Sequence, residues 1–236
     1  MLLAVALDNP MLWAVFIGWV MSVVLHEFAH GVVAYWGGDY TIRERGGLTL
    51  NPLQYVDPVM SLLLPVIVFL IGGIPLPGGA TYIRRDLLRS RKWESLVSAA
   101  GPAMNVLLFL ALVLPFHPKL GWVAPPAPGQ ASNAMVFVGA MAWLQMLATL
   151  FNLLPVPPLD GFGIISPWMN PATRERMMRP PLNTVFFFGL FFLAGPLGLV
   201  RLFHQVIRAV LVGLGFDEQA IVFFGDSYDH ALFSHS

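Results

Sequence analysis

The chain has 236 residues, of which 57% are hydrophobic and 11% charged. With a mean hydropathy of +0.71, that composition excludes an ordinary soluble domain and predicts an integral membrane protein. Thirteen basic residues balance thirteen acidic ones, which removes the basic footprint that nucleic-acid binding needs. The chain has no cysteine, so disulfides, thiol nucleophiles and thiolate metal sites are excluded, and any metal must be held by imidazole and carboxylate groups.

In chain order, Met1–Leu7 is too short to span and lacks the charged start and cleavage site of a signal peptide. Five charge-poor segments follow, most of them near the roughly 20 residues that a bilayer crossing requires. The first, Met11–Trp36, follows Asp8-Asn9-Pro10 and stops at Gly37-Gly38, a strong helix terminator. It carries His26, Glu27 and His30, ionisable groups that are costly in lipid unless they face a cavity or a partner. They form the pattern HExxH, which places two imidazoles four residues apart on one helical face, within reach of one Zn²⁺, with a carboxylate beside them.

Asn51 and Asp57, each before a proline, read as turn or cap residues. The second segment, Pro58–Leu76, contains Pro65 and Gly72-Gly73 and is too short for two spans. It is expected to be re-entrant or in-plane, shielded by protein. The run Pro75–Tyr82 reads first as a Gly/Pro loop. Its unpaired backbone would also suit an edge that pairs with an unwound substrate.

The third segment runs from about Ser95 to Pro115 and includes Gly101-Pro102-Ala103-Met104-Asn105. Its small residues permit close helix packing, and Asn105 is expected to be structural, bonding across helices. The fourth runs from Asn133 to Pro155. It leads into Asn152-Leu153-Leu154-Pro155-Val156-Pro157-Pro158-Leu159-Asp160-Gly161, where three prolines forbid a continuous helix. A catalytic zinc usually has three protein ligands and a water, and Asp160 is the candidate third ligand. The fifth segment runs from Asn183 to about Val200. Beyond it Arg201, His204 and Arg208 alternate with apolar residues at helical spacing, a pattern for an interfacial amphipathic helix or a solvated helical tail. Residues 203–224 have no decisive reading, and Asp226–Ser236 reads as a polar end. Trp13, Trp36, Trp93 and Trp122 fall near segment ends, as interface anchors do. His117, His204, His230 and His235 lack ligand spacing.

HEFAH in the first segment, Gly101-Pro102-Ala103-Met104-Asn105 in the third and NLLPVPPLDG after the fourth, in that order, resemble the intramembrane zinc metalloproteases called site-2 proteases. The resemblance covers about residues 11–165, and the Asn51-Pro52 and Asp57-Pro58 pairs resemble the small bacterial-type members without a PDZ or other appended domain. It implies one zinc ion bound by His26, His30 and Asp160, with Glu27 as the catalytic carboxylate that takes a proton from water and passes it to the leaving amine. It further implies that Asn152 positions the substrate or stabilises the oxyanion, although an equally good reading is a hydrogen bond that holds the proline-rich segment. The family's second glycine after the Asp-Gly pair is here Phe162, with Gly163 following, which puts the packing behind Asp160 in question.

The expected fold is therefore an all-α polytopic membrane protein, a single domain over residues 1–236 with its core at 11–165 and a fifth span and tail at 183–225. His30 and Asp160 both lie toward the C-terminal ends of their segments and must meet at one depth. The first and fourth segments must then run in the same direction, so one segment between them cannot cross, and 58–76 is the best candidate. Arg84, Arg85, Arg89, Arg91 and Lys92, and then Arg174, Arg176 and Arg179, outweigh the lone Lys119 of the loop after the third segment, which places the site toward the cytoplasmic side. The expected partners are the lipid bilayer and a transmembrane protein substrate, with no nucleic acid. The alternatives are a membrane metal-binding or transport protein, for which repeats and a polar path are lacking, and an inactive helix-binding scaffold, which would have no need of Glu27. A serine or aspartyl intramembrane mechanism is disfavoured, since no GxSxG elbow and no second membrane-embedded Asp occur.

Overall fold

A computed structural model describes residues 9–57, 61, 78–127, 129–194 and 197–233. The described residues form helices, short 3₁₀ turns and connections, with no strand among them. Helix α1 spans Pro10–Gly37 and begins where the Asn9 side chain accepts from the Met11 and Leu12 amides, at 2.9 and 3.2 Å. Pro10 sits at the first helical position, where its missing N–H costs nothing. The helix ends at Gly38, whose φ of 119° is left-handed, a conformation glycine adopts without strain. A short turn α2, Thr41–Glu44, follows.

Helix α3 spans Arg91–Val113 and runs on as a 3₁₀ turn to Phe116, and α4 spans Asn133–Asn152 with Ser132 as its cap. Together with α1 these are the three described helices long and apolar enough to cross a membrane. They match the first, third and fourth expected segments. The start of α1 (Asn9, Pro10) and the start of α4 (Asn133, Ala134) line one cavity, so α1 and α4 run parallel. His26 and His30 of α1 meet Asn105 and Val97 of α3, so α3 runs antiparallel to both. Glycines allow the close approach that packing in lipid needs: a methyl group at Gly18 would press on Phe137 and Met141, and one at Gly139 would collide with Ser227.

After α4 come α5 (Asp160–Ile165), a 3₁₀ turn at Ser166–Trp168, α6 (Pro171–Met178), α7 (Leu182–Ala194), α8 (Leu199–Gly213) and α9 (Glu218–Phe233). The expected fifth segment, 183–200, is thus divided between two helices, with Gly198 left-handed before α8. The expected polar end is also corrected. Residues 218–233 form a helix whose Ala220, Ile221, Phe224 and Ala231 are fully buried. With Ile207 and Leu211 of α8, Ala220, Ile221 and Phe224 pack on Phe109, Val113, Trp143 and Met146, while Ala231 packs with Val15, Val136 and Ala140. The two faces expected of the amphipathic helix are present in α8, with Ile207 and Leu211 buried and Arg201 and Arg208 exposed. The expected re-entrant segment 58–76 lies outside the described residues apart from Ser61. Its flanks are described and meet: Ser61 Oγ donates to the Gly78 carbonyl at 2.7 Å, and Asp57 N–H donates to Ser61 Oγ at 2.9 Å.

Candidate metal centre

HExxH lies in the last three turns of α1, and His26, Glu27 and His30 are 6–7% exposed. Each imidazole has one nitrogen committed to α3. His30 Nδ1 donates to the Val97 carbonyl at 2.6 Å, and His26 Nδ1 donates to Asn105 Oδ1 at 2.9 Å. With both protons on Nδ1, the two Nε2 atoms present lone pairs, and they face each other at 3.1 Å. Asp160 closes the triangle, with Oδ2 3.1 Å from His26 Nε2 and Oδ1 3.3 Å from His30 Nε2.

This convergence fits a cation. Three acceptor atoms point at one buried place with no donor between them, an arrangement that is repulsive unless a positive charge sits there. Tetrahedral ligands about 2.0–2.2 Å from a zinc ion stand about 3.3–3.6 Å from one another, close to the distances found. Imidazole and carboxylate are the donor set zinc takes in hydrolytic sites. Glu27 also lies close, its carboxylate and the imidazole nitrogens all within 4.8 Å. Asp160 touches both Nε2 atoms, one with each carboxylate oxygen, which favours it as the third ligand with Glu27 beside the site. Among the described residues, no other group of three or more such side chains comes together in this way.

Backbone packing places these groups. A methyl at Gly101 would overlap the Nε2 atoms of both His26 and His30, so α3 can lie against the imidazole pair only because residue 101 is glycine. Asp160 is carried on α5, which rests on two further glycines. A methyl at Gly161 would overlap the Leu153 carbonyl, and one at Gly163 would overlap Ser98. Ser95 Oγ donates to the Ile164 carbonyl at 2.7 Å, fixing α5 to α3. Phe162 is buried, so the small residue that packs behind Asp160 lies one place later than the family pattern.

Asn152 is the last residue of α4, half-buried, one residue before the carbonyl on which Gly161 rests. Its side chain makes no hydrogen bond among the described residues. Asn105, expected to bond across helices for packing, does bond across helices, but its partner is His26 itself. The antiparallel register of α1 and α3 could have pointed to it.

Over Glu27 runs the segment Gly78–Arg84, which is neither helix nor strand. Thr81 Oγ1 donates to the Glu27 carbonyl at 3.2 Å, a methyl at Gly79 would meet Val23 and the Glu27 side chain, and Ala80 N–H donates to the Tyr55 carbonyl at 3.0 Å. The far end of this segment is held by Asp39, which is fully buried. Its carboxylate accepts from Arg84 N–H at 2.8 Å, Thr41 Oγ1 at 2.5 Å and Arg45 Nη2 at 3.0 Å, while Arg45 Nη1 donates to the Tyr82 carbonyl at 2.7 Å. Nothing in the composition singles out Asp39, an acidic residue after a helix end, for this role.

The sequence profile of Peptidase family M50 matches residues 122–196, which include Asn152 and Asp160. The chain is 40% identical over 190 residues to the "Putative zinc metalloprotease Rip2" of Mycolicibacterium smegmatis, covering 80% of this chain and 70% of that protein. It is 35% identical over 184 residues to the protein of the same name in Mycobacterium tuberculosis H37Rv, covering 75% and 65%. It is likewise 35% identical over 162 residues to the similarly named YwhC of Bacillus subtilis, covering 67% and 70%. The chain thus spans about two thirds of the length of these relatives. No solved structure matches it.

Proposed function

The chain belongs to Peptidase family M50, the site-2 proteases, and from that premise we propose that it is an intramembrane zinc endopeptidase that hydrolyses a peptide bond in or near the transmembrane segment of a membrane protein. The observation that carries this reading is the meeting of His26 Nε2, His30 Nε2 and the Asp160 carboxylate with no donor among them. These three side chains would hold one zinc ion. The chemistry zinc supplies when bound is a more acidic water and a polarised carbonyl.

The remaining steps fall to the chain's own groups. Glu27, beside the imidazole pair and almost fully buried, takes a proton from the attacking water and returns it to the leaving amine. The Asn152 amide, a neutral donor at the end of α4, steadies the developing oxyanion or the substrate backbone. The non-helical segment Gly78–Arg84 beside Glu27 is where an unwound substrate would pair. The basic residues Arg84, Arg85, Arg89, Arg91 and Arg174 gather around the ends of α3 and α6 nearest the site, which supports a multi-pass protein with its active site toward the cytoplasmic face. The transport alternative gains no support, because the ligands converge on one enclosed place rather than along a path.

The test is zinc content of the detergent-purified chain beside a His26→Ala, Asp160→Ala double variant, followed by cleavage of a transmembrane-peptide reporter with Glu27→Gln as control. About one zinc per wild-type chain is expected, lost in the double variant. Glu27→Gln is expected to keep the zinc and lose at least about 10²-fold in cleavage rate. A folded wild type that takes up no zinc would end the proposal.

A further inference from the structure

We infer that Asn105 is a positioning residue for the metal centre, holding the proton of His26 on Nδ1 so that Nε2 is left free to bind a cation. The inference rests on the zinc site proposed above and goes beyond its three ligands and its catalytic carboxylate.

The argument begins with register. In α3, Val97, Gly101 and Asn105 are spaced by four and share one face, and α1 lies antiparallel to it with His26 and His30 also spaced by four. Val97 therefore meets His30 and Asn105 meets His26, while the bare Cα of Gly101 sits between them against both Nε2 atoms. The two imidazoles are thus held alike in geometry but by unlike groups. The acceptor for His30 is a backbone carbonyl, which no side-chain change removes. The acceptor for His26 is the amide oxygen of Asn105, which a substitution can remove.

The second step concerns the competing tautomer. With its proton on Nε2, His26 would donate to Asp160 Oδ2, which already stands 3.1 Å away. That bond would join two intended ligands to each other and close the site to a metal. Asn105 Oδ1, 2.9 Å from Nδ1 and 5% exposed as a residue, opposes this collapse by making the Nδ1–H form the better bonded one. A buried amide whose only task was helix packing would be satisfied by any backbone partner across the interface. Here its oxygen goes to the non-coordinating nitrogen of a ligand, an arrangement typical of groups that orient metal-binding histidines.

The experiment compares the full-length wild type with Asn105→Leu, Asn105→Ser and Asn105→Asp. Zinc affinity is measured by competition with a chelator, and the visible absorption of the Co²⁺-loaded protein reports the ligand field. Leu removes the acceptor, Ser is too short to reach it, and Asp keeps it. Asn105→Leu and Asn105→Ser are expected to bind zinc about 10- to 100-fold more weakly, with a weakened Co²⁺ band, while Asn105→Asp stays within about threefold of wild type. If Asn105→Leu fails to fold, Asn105→Ser carries the same prediction. Affinity in either that matches wild type, or an equal loss in Asn105→Asp, would overturn the inference while leaving the zinc site standing. A wild type without zinc affinity would instead sink the parent reading and this inference with it.

Discussion

At Gly101 the gap between α3 and the imidazole pair is smaller than a methyl group. Gly101→Ala therefore has two ways out: α3 moves away, breaking the bonds from Asn105 and Val97, or the rings turn and their lone pairs no longer converge. Either route is expected to lower zinc content to less than about a tenth of wild type, read by metal analysis of the purified variant. Gly189→Ala, in a helix with nothing near the added methyl, is the control. It is expected to keep the zinc and to gain a little stability, since alanine is favoured over glycine in a helix by about 1 kcal/mol. The contrast shows which residues could be read from sequence alone. His26, Glu27 and His30 are legible because their meaning is complete within one turn of one helix, and Asp160 because its proline-rich surroundings mark it. Gly101 and Asn105 acquire their roles from a neighbour some 75 positions away, roughly the separation that joins His26 to Asn105, and no local pattern carries that register.

Among the elements, the non-helical segment Gly78–Arg84 lies directly against Glu27. Its place over Glu27 depends on Asp39, whose buried carboxylate joins the end of α1 to Arg84 and, through Arg45, to Tyr82. Asp39→Ala would leave the Arg84 amide and part of the Arg45 guanidinium without their acceptor. Because Arg45 is itself 38% exposed and can turn to water, the expected cost is about 2 kcal/mol rather than the larger penalty of a fully enclosed pair. Hydrogen exchange across residues 78–84 is expected to quicken in this variant while exchange in α3 and α4 is unchanged. Equal quickening throughout would mean that Asp39 supports the whole bundle and not this segment. The C-terminal elements were the least legible part of the chain. Phe216, Ile221 and Phe224 give no clean periodicity by themselves, yet they fill the space beside Phe109, Val113 and Phe116. A tail of mixed polarity reads as a surface element until the wall that it covers is known.

For the molecule as a whole, the decisive fact is that chain direction and site position agree only if the stretch between α1 and α3 returns to the face it left. The C-terminal end of α1 and the N-terminal end of α3 both lie at the site end, because Arg89 N–H bonds the Gly37 carbonyl at 2.9 Å. Between them Tyr82 OH reaches Asp57 and Ser61 Oγ reaches the Gly78 carbonyl, so the chain resumes where it departed. The chain then goes to the opposite end along α3 and back along α4. It returns to the opposite end over α7 and α8, where His117 Nε2 donates to the Leu214 carbonyl at 2.9 Å. Among the described residues that path has four traverses, with the end of α9 beside the start of α1. The native chain lacks cysteine, so single cysteines can be introduced without altering any other residue. Thr49→Cys and Ser90→Cys, both exposed at the site end, are expected to react with an impermeant maleimide from one face of sealed membranes, and Lys119→Cys from the other. The excess of arginine at the site end is the ground on which we propose that the first face is the cytoplasmic one. Labelling of Thr49→Cys and Ser90→Cys from opposite faces would require residues 58–77 to cross. His30 and Asp160 could then share one depth only if the chain crossed once more between α3 and α4, and the short connection 117–132 does not provide the roughly 20 apolar residues that a crossing needs.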